Sequence, residues 1–309
     1  MKLYSVQKYT PAHYEQWNSF VADAKNGTFL FHRDFMEYHS DRFEDHSLLF
    51  FHKEQLRAVL PANRVGDTLY SHQGLTYGGL VLHDCGGKTV RDIFQQLCTY
   101  LKGKGFKKLE VKAIPLFYHQ QPANELYFEI IDKGGQLFRR DLNLAIDYRN
   151  ELKIHKSKVK HFRKRQELGF TVLETPDVTP FWNEVLIPRL QEKHQVHPVH
   201  TVAEMNCLRS KFPKNIKQYE IWLDDKLLAG ITTFETDTVV KSQYGATTAL
   251  GEKHRALDYL FITLIEKYKD LGYRYFDMGT VTEGNMGLLK QKEELGCAIY
   301  TQDFYELKV

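Results

Sequence analysis

The chain carries one folding unit twice. The segment EQLRAVL around Leu56 and the segment DKLLAGI around Leu227 align at an offset of 171 (227 − 56), which also pairs Ala58 with Ala229 and Ser71 with Ser242. Each is followed by a long amphipathic stretch that ends on a glycine, an aromatic residue and a basic one. These are Gly105-Phe106-Lys107 and Gly272-Tyr273-Arg274, at an offset of 167, so the register slips by four residues. A repeat this long is a duplicated domain, since solenoid periods run roughly 20 to 50 residues. The 309 residues hold two cores of ordinary domain size. The expected division is residues 1–148 and 149–309, the second copy opened by a basic helix.

Within each copy the patterning is that of an α+β layer, several strands and a single helix across their face. In the first, LLFFHKEQLRAVLPA reads as two strands about a turn at His52 to Gln55, and DTLYS and TYGGLVL extend the meander. Thr89 to Lys102 sets Val90, Ile93, Phe94, Leu97 and Leu101 on one helical stripe. Strands are expected at Lys108 to Ile114, Leu126 to Ile131 and Gln136 to Leu142. The second copy repeats the order, with strands at 216–223, 226–235 and 238–245, a helix from Arg255 to Lys269, a strand from Tyr273 to Met278, a helix near Met286 to Leu295 and a strand from Ala298 to Tyr305. Between the copies, Asn150 to Leu168, Thr179 to His194 and Val202 to Lys211 read as helices. The last opens on a capping box of Thr201 and Glu204.

Composition excludes several classes. Forty-two basic residues against thirty-nine acidic ones give +3, so the chain as a whole is not a nucleic-acid (DNA included) or membrane-surface binder by charge, and any such role is local. No run approaches the roughly 18 apolar residues of a membrane span, and MKLYSVQKYT has no apolar secretion segment. The expectation is a cytoplasmic protein. Cys85, Cys98, Cys207 and Cys297 are far apart and form no C-x-x-C pair, which suits reduced thiols.

Four groups of residues carry potential chemistry. The run Leu69-Tyr70-Ser71-His72-Gln73-Gly74-Leu75-Thr76-Tyr77-Gly78-Gly79 breaks an apolar meander with hydroxyls, an imidazole and three glycines. Glycine inside a strand marks a bulge or a close approach by a ligand or backbone, and the alternative is a plain hairpin. Ser71 and His72 are neighbours, so on a strand they face opposite ways and make no nucleophile–base pair. Phe276-Asp277-Met278-Gly279 ends a strand in an acid, a position from which a sheet aims a carboxylate at a cleft, although Asp before Gly is also turn chemistry. Lys153, Lys156, Lys158, Lys160, Arg163, Lys164 and Arg165 fall within thirteen residues with no acid among them, as a solvated face or a phosphate clamp. His194, His197 and His200 sit three apart, but Pro198 breaks any helix through them and no carboxylate follows at ligand spacing, so no metal site is expected. These histidines read better as lining for an acceptor pocket, and Arg139 and Arg140 at a strand end offer the same role.

Residues 252–305 resemble the C-terminal half of the Fem-type (FemAB/FemX-like) peptidyltransferases and their bacterial acyltransferase relatives in the GNAT superfamily. The resemblance lies in Gly272-Tyr273-Arg274, Phe276-Asp277-Met278-Gly279, and Gly287-Leu288 with Lys292 and Gly296. KVKHFRKRQELG, Lys158 to Gly169, is similar to the basic helix that opens the second GNAT-like domain of that family. The first half, with Asn26-Gly27-Thr28-Phe29, Arg33 and SHQGLTYGG, looks like a subgroup found in polysaccharide biosynthesis. The resemblance implies tandem GNAT-like domains and transfer of an acyl or aminoacyl group to an amine of a sugar or envelope precursor. Asp277 would orient or deprotonate the amine, Lys292 would stabilise the carbonyl oxygen or bind the donor's phosphates, and Tyr244 and Tyr77 would line the cleft or supply a proton to the leaving group. Ser71, His72, Tyr77, Gly78, His197 and Arg139 would bind substrate, and Lys253, Arg255, Arg163 and Lys164 the donor's phosphates. On that resemblance the donor would be an acyl-CoA or other thioester, or an aminoacyl-tRNA, the acceptor a small-molecule or lipid- or nucleotide-linked sugar, with tRNA the lesser candidate partner. One departure stands out. Gly251-Glu252-Lys253-His254-Arg255-Ala256 lacks the central glycine of a coenzyme A pyrophosphate loop. A non-catalytic, glycan- or carrier-binding role is the alternative this leaves.

Overall fold

The structure, a computed structural model, describes residues 4–281 and 284–309. It divides into two compact units, Met1–Asp141 with Thr301–Val309, and Leu142–Tyr300. The division therefore falls seven residues before the one expected at 148, and the final segment returns to unit 1. Strand pairing is the reason, because residues 304–308 lie antiparallel to Lys108–Lys112.

Unit 1 runs β1 (Tyr4–Lys8), α1 (Tyr14–Ala22), α2 (Arg33–Met36), β2 (Glu44–Asp45), β3 (Leu48–His52), β4 (Gln55–Leu60), β5 (Asn63–Val65), β6 (Thr68–Tyr70), β7 (Val81–Leu82), α3 (Gly87–Gly103), β8 (Lys108–Lys112), α4 (Glu125–Asp132) and the start of β9 (Gln136–Asp147). Strands β1-β3-β4-β7 form one run of neighbours. The C-terminal strand, β8, β6, β5 and β2 form the other, β6 and β8 being parallel. Helix α3 buries the five residues of the expected stripe against this sheet. Each such side chain contributes about 1.5–3 kcal/mol.

The expected strand at Leu126 to Ile131 is instead α4. Period-two alternation would put Leu126, Phe128 and Ile130 on one face, but the core takes only Leu126 and Ile130, one helical turn apart, and leaves Phe128 exposed. A short apolar run satisfies either period, and packing on α3 decided this one.

Unit 2 continues with α5 (Lys156–Arg165), β10 (Thr171–Thr175), a helical turn at Phe181–Leu186 running into α6 (Ile187–His194), α7 (Val202–Lys211), β11 (Ile216–Leu223), β12 (Lys226–Glu235), β13 (Val239–Thr247), α8 (Ala249–His254), α9 (Ala256–Asp270), β14 (Tyr275–Val281), α10 (Met286–Glu294) and the start of β15 (Ala298–Lys308). Its sheet has the order β10-β11-β12-β13-β14-β9. Strand β10 was not foreseen, and its mixed sequence Thr-Val-Leu-Glu-Thr gives little periodic signal. Helix α9 packs Leu260, Phe261, Leu264, Ile265 and Tyr268 on one face of the sheet. Thr201 and Glu204 form the anticipated capping box at α7.

The duplication survives in the pairing itself. The parallel strands of unit 1 end their ladder at Tyr70 opposite Glu110, and those of unit 2 at Lys241 opposite Asp277. Those two pairs stand at the sequence offsets of 171 and 167.

Candidate functional site

Among the described residues of unit 2, parallel strands β13 and β14 pair only over Val239–Lys241 and Tyr275–Asp277. Beyond that point β13 stays with β12 as far as Thr247, while β14 resumes its ladder with β9 at Thr280. Two adjacent strands thus separate, and a wedge opens between them with Lys241 and Asp277 at its apex. Two irregularities produce it. Gln243 is an extra residue in β13, between Ser242 opposite Thr233 and Tyr244 opposite Thr232. In β14, Gly279 takes a left-handed φ of 77°, and a β-carbon there would stand 3.2 Å from the Lys241 ammonium.

Asp277 is 1% exposed and fully engaged at the apex. Its Oδ1 accepts from the Gly279 N–H at 2.7 Å and its Oδ2 pairs with Lys241 Nζ at 3.2 Å. Lys292, from α10, donates to the carbonyls of Gly279 and Thr280, each at 3.0 Å. Asp277 and Lys292 therefore meet on the same strand end, the lysine clear of Glu293 and Glu294. Burial pushes Lys292 down to about 8, the Lys241 charge pushes it further, and Asp277 opposes the shift.

Val240, Phe276 and Met278 belong to the α9 core, so Lys241 and Asp277 point to the opposite face. Phe181 and Trp182 cover part of that face, Phe181 lying against Gly230 and Trp182 edge-on to Tyr244 with centroids 5.1 Å apart. The Tyr244 hydroxyl sits 2.6 Å from His200 Nδ1. Burial raises the tyrosine to about 12, so it is a protonated hydroxyl at neutral pH, coupled to an imidazole. Of the three residues expected to be catalytic, Tyr244 is the one that is not fully buried.

The expected phosphate loop is not a loop. Residues Ala249–His254 form α8, capped by Thr248, and Gly251 is packed so closely that a β-carbon would fall 2.3 Å from the Leu228 carbonyl oxygen. Arg255 breaks the chain in a left-handed conformation, φ 53°, before α9 begins. Helix α5 lies against this junction. Lys158 is buried and paired with Asp258 at 2.7 Å, Phe162 meets Tyr259, and Arg165 donates to the His254 carbonyl at 2.5 Å. Arg163, Lys164, Lys253 and Arg255 are exposed. Desolvation lowers the pKa of His161 among them, and the charges of Arg255, Arg165 and Lys160 push it the same way. The basic run is thus one buried structural lysine within an exposed cationic surface.

Of the three histidines, His197 is exposed beside Gln191, His200 is buried against Tyr244, and the side chain of His194 lies outside the described residues. Among the described residues no group of three or more His, Cys, Asp and Glu is placed to hold a metal ion.

Unit 1 treats the equivalent place differently. After Tyr70 the chain leaves the sheet and returns only at Val81, so SHQGLTYGG is an excursion and neither a hairpin nor a strand. The excursion lies against β8. Ser71 N–H donates to the Glu110 carbonyl, the Lys112 N–H donates to Ser71 Oγ at 3.0 Å, and Gly78 N–H donates to the Lys112 carbonyl at 2.7 Å. Where unit 2 opens a wedge, unit 1 is zipped shut. Gly78 is obligatory, since a β-carbon would stand 2.0 Å from the Ser71 carbonyl oxygen. Tyr77 and Gly78 are therefore interior residues, Tyr77 with its hydroxyl 3.2 Å from Thr28 Oγ1. Ser71, His72 and Arg139 do converge, on a cavity of about 300 Å³ that Glu110 and Phe304 also line. His72 is buried with φ 70°, and desolvation, then the His39 imidazole, depress it to about 3.

Family and fold agree with this geometry. Residues 149–287 match the family model described as acetyltransferase (GNAT) domain. Together with the tandem GNAT-like fold this marks unit 2 as a GNAT-type acyltransferase domain, and the likeness of the whole chain to the solved structures below is one of fold. Among solved structures, FemX superposes with a TM-score of 0.71 at 9% identity, over 99% of this chain and 97% of that one. The C-terminal domain of a putative lysylphosphatidylglycerol synthetase from Agrobacterium fabrum gives 0.65 at 12% identity, over 97% and 93%. L-PGS from Bacillus licheniformis gives 0.61 at 13%, over 98% and 93%. No curated protein matches the chain by sequence.

Lys241 and Glu110 were not foreseen as site residues. Their signal lay in the repeat, because the 171 and 167 offsets set Lys241 opposite Tyr70 and Asp277 opposite Glu110. Only knowing that these strands are parallel neighbours would have joined them.

Proposed function

We propose that unit 2 transfers an acyl or aminoacyl group to a primary amine of a sugar or cell-envelope precursor, at the wedge between β13 and β14. The wedge is the observation that carries this reading. It exposes strand edges to which an extended acyl donor can hydrogen-bond, and it holds two ammonium groups at its apex. Tyr244 and His200 act on the proton. The amine attacks the acyl carbonyl carbon, its proton leaves towards His200 through Tyr244, and Tyr244 returns a proton to the departing thiol or hydroxyl. Lys292 and Lys241 supply positive potential where the carbonyl oxygen becomes an oxyanion. Asp277, with both oxygens occupied, holds Lys241 and the Gly279 turn in place rather than meeting substrate. That assigns it positioning in place of the proton transfer expected from the resemblance.

The cationic surface of Arg163, Lys164, Lys253 and Arg255 fits a donor's phosphates. For a coenzyme A thioester the N–H groups at the start of α9 would add to them, but α8 fills the space of a glycine loop, so side-chain cations would carry more of the contact. The same surface favours a second reading, an aminoacyl-tRNA donor, and one structural neighbour bears the name of a putative lysylphosphatidylglycerol synthetase. An acceptor made on the cytoplasmic side, as a small molecule or on a lipid or nucleotide carrier, fits either donor. Among the described residues no helix is long and apolar enough to cross a membrane.

The test is thiol release from a panel of acyl-CoAs with amino sugars, run beside transfer from charged tRNA, for wild type and Tyr244→Phe. Transfer by wild type with a loss of about 10²–10⁴ in the variant, at unchanged donor binding, is the expected result. Full activity in Tyr244→Phe would remove the hydroxyl–imidazole pair from the mechanism.

A further inference from the structure

On the α9 side of the unit 2 sheet, facing away from the wedge, lies a chain of buried hydroxyls that the transfer chemistry does not use. Glu235 closes β12 opposite Val240 and is 6% exposed. Its Oε1 meets the Tyr268 hydroxyl and, at 2.9 Å, Thr233 Oγ1, while its Oε2 meets the Tyr273 hydroxyl at 3.1 Å. From Tyr268 the chain runs to the Tyr219 hydroxyl at 2.9 Å, and from Tyr219 to Oε2 of the exposed Glu174 at 3.1 Å. It connects a buried acid to a surface one.

The protons do not add up if both acids are ionised. A hydrogen bond between two oxygens needs one proton, and a carboxylate brings none. Five contacts have to be filled, Glu174 to Tyr219, Tyr219 to Tyr268, Tyr268 to Glu235, Thr233 to Glu235 and Tyr273 to Glu235, and the four hydroxyls bring four protons. One contact would then set two lone pairs against each other. The approach of Thr233 to the Tyr268 hydroxyl at 3.3 Å only deepens the shortage. Lys267 does not relieve it, because its ammonium donates at the outer end, to Tyr219 at 2.9 Å and Glu174 at 3.3 Å.

The surroundings decide which acid holds the fifth proton. Burial works against the charge of Glu174, but Lys267, Tyr219 and Lys217 outweigh it and keep that carboxyl below its usual range. Arg209, from α7, adds its charge on the same side. Burial raises Glu235, and its hydroxyl neighbours and the Lys217 charge oppose that shift without cancelling it. Asp237 adds a negative charge beside Tyr273. Burial raises Tyr219 and Tyr268 too, so both keep their protons. With a proton on Glu235 Oε1 every contact is filled: Glu235 donates to Tyr268, Tyr268 to Tyr219 and Tyr219 to Glu174, while Thr233 and Tyr273 donate to Glu235.

We propose that Glu235 is a neutral carboxylic acid at neutral pH and that its proton latches the last turn of α9 to β11 and β12, a latch that opens when rising pH draws that proton into solvent. Infrared difference spectra of the full chain at pH 7, wild type against Glu235→Gln, read the acid directly, as a C=O stretch above the amide band that the variant lacks. Urea unfolding reads its linkage. Above the ordinary carboxylate range the folded chain keeps a proton that the unfolded chain has released, so wild type loses stability relative to the glutamine variant as pH rises. The ratio of unfolding constants, wild type over variant, should grow about tenfold per pH unit, or about a hundredfold from pH 5 to 7. If the glutamine variant does not fold, Tyr268→Phe takes its place, since it removes the acceptor of that proton and should shift the same band. A difference spectrum without the band, a ratio that stays flat from pH 5 to 7, or a band unmoved in Tyr268→Phe overturns the proposal.

Discussion

Replacing Lys292 by methionine tests the electrostatics of the wedge apart from any substrate. Lys292 is 5% exposed and its ammonium titrates at about 8, against 10.5 for a free lysine. The folded pKa is the lower one. Between those values the unfolded chain therefore holds a proton that the folded chain has lost, and stability rises with pH across the window. Below about pH 8 the cost of burying the charge is carried in full. Integrated from pH 7 to 9.5, the lysine's contribution to stability grows by about 2 kcal/mol. The methionine variant loses that growth. It also strips the Gly279 and Thr280 carbonyls of their donor, a penalty of about 1–3 kcal/mol each, but one that is the same at both pH values. Urea unfolding of both proteins at pH 7 and 9.5 gives four free energies, and the difference of differences isolates the lysine. Tyrosines titrating above neutrality cancel in that comparison. An equal pH dependence in wild type and variant would show that Lys292 is not held at a depressed pKa, and the placing of two full ammonium charges at the apex would have to be redrawn.

Asp277→Asn removes the charge facing Lys241 and should destabilise unit 2 by about 3–5 kcal/mol, as breaking a buried pair does, while Lys241→Met on the same background should recover part of the loss. A denaturant double-mutant cycle showing strict additivity would mean the pair does not interact. Gly78→Ala forces a β-carbon against the Ser71 carbonyl, where overpacking costs about 1–3 kcal/mol and each kcal/mol moves the midpoint roughly 2–4 °C. A calorimetric Tm within 1 °C of wild type would contradict the zipped geometry. Arg163→Glu with Lys164→Glu should weaken binding to a model polyanion such as an RNA oligonucleotide, and flatten the log–log salt dependence by about 1.4 for two lost phosphate contacts. An unchanged slope would take α5 out of the donor surface.

Much of the fold could be read because its periodic signals were long. The stripe on α3, the helix α9 and the meander β11–β13 each repeat their period often enough to exclude the alternative. The failures are short or exceptional segments. The run at Leu126–Ile131 fits both periods, and α4 exists because Leu126 and Ile130 meet α3. The left-handed residues His72 and Arg255 carry no glycine to announce them, so an excursion looked like a hairpin and a broken helix like a loop. At the site, Asp277, Lys292 and Tyr244 were visible as residue types in suggestive places. Their environment was not, since burial is a tertiary quantity. Asp277 reads in the sequence as an acid aimed at a cleft, yet a neighbouring strand 36 residues earlier (277 − 241) occupies its outer oxygen with Lys241.

The four-residue slip between the copies now has a physical origin. From the last parallel pair to the end of the strand, unit 1 spends residues 71–82 where unit 2 spends 242–247, which is six more. Unit 2 spends 248–255 to reach its long helix where unit 1 spends 83–86, which is four more on that side, and α3 is two residues longer than α9. The insertion thus falls at the strand end, the point from which a GNAT unit either opens or does not. A single extra residue there, Gln243, bends β13 away and leaves its edge unpaired by β14. An excursion of ten residues can instead fold back, and Ser71 and Gly78 give the exposed edge of β8 the hydrogen bonds that a donor would otherwise supply. The unpaired edge left in unit 2 has to be met by water or ligand. It follows that exchanging residues 242–247 for the unit 1 excursion should abolish donor binding in unit 2 while leaving the α9 core folded, a result readable by thermal shift with an acyl-CoA, and retained binding would place the donor elsewhere.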